Sequence, residues 1–253
     1  MKKQQKNSKS IILLSLIFIT LSVVFLVFYK EIWWDSAVYS NIGKFIFSNG
    51  NFGIWEDARP LVLPLILGLG WKIGFNEVMF VKIVSLAFSL GSILMVYLIS
   101  KKYFSQKTAI YSSIFTAFSS IFFFFSSLGM TEIPSVFFAL LSLYFLFENR
   151  PFVSGLFSGI AFMARFFSIF AIIPIYLFHL IYFDRKKFVG KYSKVFFGFV
   201  AVIVPYLILN VALYHNVLYP FQLQINITKI TGWQNYHSFW FYFIELIKQN
   251  PFL

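Results

Sequence analysis

Residues 152–183 read FVSGLFSGIAFMARFFSIFAIIPIYLFHLIYF, thirty-two positions with one formal charge, Arg165, near the middle and Pro174 beyond it. A helix crosses the hydrocarbon core of a bilayer with about 20 apolar residues, so this run is too long for one crossing. A charge inside an apolar run is least costly near an interface or a water-filled cavity. The stretch therefore reads as two short spans with a turn around Arg165. Other apolar runs flank it at residues 11–28, 78–100, 109–127, 133–147 and 195–214. That gives seven spans, and an eighth begins near Phe239.

Composition agrees. The 253 residues are 59% hydrophobic and 12% charged, with 37 Phe, and the mean hydropathy is +0.79. Too little polar surface exists to coat a water-soluble core, whereas a bilayer solvates an apolar exterior. The fold class is all-α, a polytopic transmembrane helix bundle. Cysteine is absent, which removes disulfides, thiolate nucleophiles and Cys-ligated metal sites.

The net charge of +12 raises nucleic acid as a partner, but the basic residues sit between the apolar runs. Segments 1–10, 100–108, 148–151 and 184–194 hold thirteen of the 21 Lys and Arg residues. Such a bias is the positive-inside pattern, with the N-terminus cytoplasmic and no nucleic-acid partner. Seven of the nine acids then fall on or near the outer side. Residues 1–253 read as a single membrane domain in which residues 30–75 form the first outer loop. Within it, residues 61–75 are short and interrupted by Pro64, Gly68, Gly70 and Lys72, as expected of an interfacial helix. The last apolar run, residues 239–247, opens just before the chain stops, so the sequence reads as the N-terminal portion of a longer domain.

Chemistry concentrates on the outer side. The first outer loop contains WWDSAVYSNIGKFIFSNGNFGIWEDARPLVLPLILGLGWKIG, with Asp35, Tyr39, Arg59, Pro60, Leu61, Pro64 and Gly74. TEIPS at residues 131–135 follows at the next outer turn, then SGLFSGIAFMARFF with Arg165, then NVALYHNVLYPFQ. In this order the pieces resemble the GT-C class of lipid-linked-sugar glycosyltransferases, in particular the protein mannosyltransferase, aminoarabinose transferase and Rgt-like group. The chain departs from that pattern at Leu61 and Val62, around the position of a second Pro, and at Ser36, where many members carry a second acid. The resemblance covers nearly the whole chain.

The resemblance implies a polyprenyl-phosphate sugar donor and a lipid, glycan or protein acceptor whose hydroxyl attacks the anomeric carbon with inversion at the outer face of the plasma membrane. A carboxylate has to take the hydroxyl proton, and Asp35 is the candidate base. The leaving phosphate needs cationic stabilisation, for which Arg59, Arg165 and Lys229 are candidates, and a divalent cation is left open as a further partner. Glu132 is a candidate to orient the acceptor, to support such a cation or to pair with an arginine. Structural readings stand beside these roles. Asp35 follows an aromatic anchor, Glu132 suits a helix N-terminus, Arg165 could snorkel to headgroups, and Glu56 with Asp57 reads as a solvated loop pair. Gly155 and Gly159, with Ser154 and Ser158, read as a small-residue packing seam. No i, i+4 histidine pair is present, and neither a P-loop nor a nucleotide-sugar fingerprint occurs. The competing class is a non-catalytic lipid-sugar flippase or transporter, or an inactive homologue, although no second copy of the residue 35–74 pattern marks an inverted repeat.

Overall fold

The computed structural model of the chain describes residues 2–28, 32–183 and 188–230, together with Ile244 and Lys248. The described residues are helical with no strand among them. The eighth span expected to begin near Phe239 lies outside the described residues.

The helices, in chain order, are α1 (Lys2–Phe28), α2 (Trp34–Phe47), α3 (Val62–Lys72), α4 (Glu77–Tyr103), α5 (Gln106–Phe118), α6 (Ser120–Leu128), α7 (Glu132–Phe147), α8 (Pro151–Ala164), α9 (Ile169–Phe183), α10 (Phe188–Tyr214) and α11 (Tyr219–Ile230). Two stretches, Glu77–Tyr103 and Gly190–Tyr214, are long and apolar enough to cross a membrane. A third joins them if α5 and α6 count as one broken span. At 1.5 Å per residue the 16 residues of α7 reach about 24 Å, short of the roughly 30 Å core.

Local chemistry accounts for the boundaries. Asn76 caps α4 by accepting from Met79 N–H at 3.1 Å, and Ser105 caps α5 by accepting from Thr108 N–H at 3.1 Å. Pro151 occupies the first turn of α8, where its missing N–H costs nothing. Gly129 ends α6 in the left-handed region at φ 70°. α8 stops at Ala164 because Arg165 turns to extended backbone (φ −155°, ψ 115°), followed by a single 3₁₀ turn, Phe166–Ser168. The break inside the 32-residue run is thus at Arg165, as its charge predicts.

The run at residues 109–127, read as one span, is divided in the structure: α5 and α6 meet at a 59° bend at Ser119, whose ψ of 126° leaves the helical region. The stretch carries no Pro or Gly to announce it. Serine offers the backbone local alternatives to helix bonding, and packing chooses the bend: Phe122 and Phe123 of α6 lie against the fully buried Phe18 of α1, with ring centroids at 6.2 and 5.8 Å.

Packing between helices relies on small residues. α2 lies across α3 with Gly43 against Pro64 and Gly68, so closely that a Cβ on either glycine would strike backbone. Gly155 and Gly159 of α8 likewise meet Val195, Gly198, Phe199 and Val202 of α10, which makes the expected small-residue seam an internal contact. Several buried hydroxyls are satisfied within the protein. Ser89 and Ser113 donate to the carbonyls of Ser85 and Ala109 at 2.8 Å, and Tyr176 Oη lies 2.6 and 2.9 Å from Ser142 and Ser154. His179 is buried with its Nδ1 2.9 Å from Tyr192 Oη.

α4, α7 and α8 set two ends to the bundle. At one end Lys102, in the last turn of α4, pairs with Glu148 after α7, so the basic connections 100–108 and 148–151 lie together. At the other end α2 and α3, the start of α7 and the break after α8 converge.

Candidate active site

That second end encloses a cavity of about 710 Å³. Asp35 reaches it from the first turn of α2, whose start is fixed by the hydrogen bond that Ser36 Oγ donates to the Leu128 carbonyl. Glu56 and Arg59 enter from the loop before α3, Thr131 and Glu132 from the start of α7, and Arg165 from the break after α8. Trp33, Trp34, Phe124, Phe125, Phe166 and Phe167 form much of the remaining wall. The cavity thus joins ionic groups to an aromatic face, the latter supplied partly by the bend that aims α6.

Arg59 is held on three sides. Its Nε donates to Glu56 Oε1 at 2.8 Å, Nη2 to Asp35 Oδ1 at 2.8 Å and Nη1 to Tyr39 Oη at 3.3 Å, with the guanidinium carbon 5.4 Å from the Tyr39 ring centre. Burial opposes this charge, but Tyr39, Glu56 and Asp35 more than offset it, holding the guanidinium above its ordinary pKa. Tyr39 is buried and the same burial raises its pKa, so its hydroxyl stays neutral at neutral pH.

A second ion pair faces the first. Arg165 Nη1 donates to Glu132 Oε1 at 2.6 Å and to Thr131 Oγ1 at 3.3 Å. Thr131 is almost fully buried. The other carboxylate oxygen of Glu132, Oε2, is buried with no hydrogen-bond partner among the described residues. In the described wall, the carboxylates of Asp35, Glu56 and Glu132 face the guanidiniums of Arg59 and Arg165. Those three carboxylates are the groups available to a cation, but no set of three or more His, Cys, Asp or Glu residues among the described residues converges as a metal centre.

Four of the five residues singled out from sequence, Asp35, Arg59, Glu132 and Arg165, line this one cavity. Lys229 does not. It is exposed near the end of α11, which instead sends Gln224 and Ile227 to the cavity wall. The pair expected to be solvated is also different in the structure: Glu56 clamps Arg59, and Asp57 accepts from Tyr214 Oη at 2.8 Å. Arg59 lies only three residues from Glu56, whereas Tyr214 lies 157 residues from Asp57, beyond the reach of any local pattern.

Residues 58–209, more than half of the chain, match the family model described as dolichyl-phosphate-mannose-protein mannosyltransferase. The chain belongs to this family. It is a membrane glycosyltransferase of the GT-C type. No curated protein and no solved structure matches the chain. Arg59, Glu132 and Arg165 fall inside the matched region of this mannosyltransferase-family chain, whereas Asp35 and Lys229 lie outside it.

Proposed function

We propose that the chain moves a sugar from a polyprenyl-phosphate carrier to the hydroxyl of a lipid, glycan or protein acceptor at the outer face of the plasma membrane, with the N-terminus cytoplasmic. The observation that carries this reading is the meeting of Asp35, Arg59, Glu132 and Arg165, from four separate segments, in one cavity with an aromatic wall. The family supplies the donor class, since its description names a dolichyl-phosphate sugar.

The geometry divides the work. The acceptor oxygen forms a bond to the anomeric carbon as the bond from that carbon to the phosphate oxygen breaks, and the configuration inverts. Asp35 takes the hydroxyl proton. The negative charge left on polyprenyl phosphate falls to Arg59 and Arg165, whose guanidiniums are already oriented by carboxylates and cost little reorganisation when the phosphate arrives. Arg59 is shared between Asp35 and Glu56 before the donor binds. A donor phosphate that engages Nη2 releases Asp35 from its ion pair and leaves that carboxylate free to accept a proton. Glu132, with an unused buried oxygen, receives a hydroxyl of the sugar or acceptor.

Asp35→Asn tests the base. Asn keeps an oxygen for Arg59 but no basic carboxylate, so insertion and abundance are expected to persist while transfer in detergent falls about 10²–10⁴-fold. Full activity in this variant removes Asp35 from the chemistry. Turnover by the wild type in detergent also separates an enzyme from a transporter, which needs a sealed compartment to score.

A further inference from the structure

A hydrogen-bonded joint outside the cavity ties the far end of α10 to the loop that carries Arg59. Tyr214, the last residue of α10, accepts from Trp55 Nε1 at 2.7 Å and donates to Asp57 Oδ1 at 2.8 Å. One hydroxyl uses both its accepting and its donating capacity on residues two apart, so it fixes the loop in direction as well as in place. Neither Trp55, Asp57 nor Tyr214 lines the cavity, while the interleaved Glu56 and the following Ala58 and Arg59 do.

Both sides of the joint are anchored. The Trp55 ring packs on Phe45 of α2 at 5.9 Å, and the Tyr214 ring stacks on Tyr219 at 4.7 Å. α10 ends sharply because His215 takes φ 53°, a conformation uncommon for a residue with a Cβ. The chain is then folded back by Asn210, 1% exposed, whose Nδ2 donates to the Val217 carbonyl at 3.0 Å. Ala58, between Asp57 and Arg59, is 1% exposed. A displacement of Asp57 therefore passes to Arg59 with little slack.

We infer that Tyr214 is a positioning residue for Arg59: by holding Trp55 and Asp57 it aims the guanidinium at the donor phosphate and keeps the Asp57 carboxylate from competing with that phosphate. This inference rests on the reading of the cavity as a polyprenyl-phosphate sugar site. Its effect belongs to donor affinity, because a guanidinium–phosphate contact is made in the bound ground state as well as later.

The test uses the full chain in detergent, with dolichyl phosphate as the probe and its dissociation constant as the readout. Tyr214→Phe keeps the stack on Tyr219 and removes both hydrogen bonds. It is expected to weaken dolichyl phosphate binding about tenfold with the thermal midpoint little changed, the scale of one misplaced charge-assisted contact. Asp57→Ala is expected to weaken it similarly. Asp57→Asn, which still offers an oxygen to Tyr214, is expected to stay within about threefold of wild type, a rescue that a general loss of packing does not produce. Unchanged affinity in Tyr214→Phe, or equal losses in Asp57→Asn and Asp57→Ala, overturns the inference. Amide hydrogen exchange across residues 55–60 reads the joint without the donor: faster exchange in Tyr214→Phe supports it, and unchanged exchange overturns it. If wild type fails to bind dolichyl phosphate, the donor reading itself fails, and the exchange result still judges the joint.

Discussion

Glu132 illustrates how much of this site is decided atom by atom. Its Oε1 is taken by Arg165 at 2.6 Å, whereas Oε2 is buried without a donor among the described residues. An unsatisfied buried polar atom costs about 1–3 kcal/mol, and a substrate hydroxyl against Oε2 would remove that cost. Glu132→Gln keeps the length of the side chain but loses the ion pair. Transfer is expected to fall about 10- to 100-fold, the worth of one charge-assisted hydrogen bond, measured as kcat/KM with membranes of matched protein content. Activity within twofold of wild type would leave Glu132 as a helix-terminal charge and nothing more. Arg165 and Glu132 were both legible as candidates, the first because a charge in an apolar run is expensive, the second because the resemblance to the GT-C transferases places an acid at that turn. Their pairing was one of several alternatives for Glu132, and nothing in a sequence separation of 33 residues selects it.

At the scale of elements, the site depends on how closely α2 lies against α3, since Asp35 rides on one and Arg59 directly precedes the other. Gly43→Ala places a methyl into the backbone at Pro64 and Gly68. Overpacking of this kind costs about 1–3 kcal/mol. The variant is expected to lower the thermal midpoint and to lose transfer together, because separating the helices pulls Asp35 from Arg59. Normal activity with a normal midpoint would mean that the two helices are free to slide apart. The short helix α3 was readable from residues 61–75, too short and broken for a span. The bend between α5 and α6 was not, because the serines that permit it are common in membrane helices and the packing of Phe122 and Phe123 on Phe18 that favours it involves a partner about 100 residues away.

For the whole molecule, the arrangement has two ends, and the proposed orientation assigns each to one side of the membrane. The absence of native cysteine makes this directly testable. Asn51→Cys, in the exposed loop at the cavity end, is expected to react with a membrane-impermeant thiol reagent in intact cells. Lys107→Cys, exposed at the opposite end, is expected to react only after permeabilisation, and the reverse pattern would invert the proposed topology. By itself the sequence determined that this is a helical membrane protein, that residues 152–183 break at Arg165, and that Asp35, Arg59 and Glu132 merit attention. The first two follow from composition and from the local cost of a charge in an apolar chain, and the third from the resemblance of these segments to the GT-C transferases. The tertiary structure alone decided that Glu56 and Asp57 are engaged, that Tyr214 reaches the loop of Arg59, that Lys229 stands outside the cavity, and which carboxylate meets which guanidinium. Those outcomes depend on distances between residues as far as 159 positions apart, which helix packing sets and local pattern does not encode.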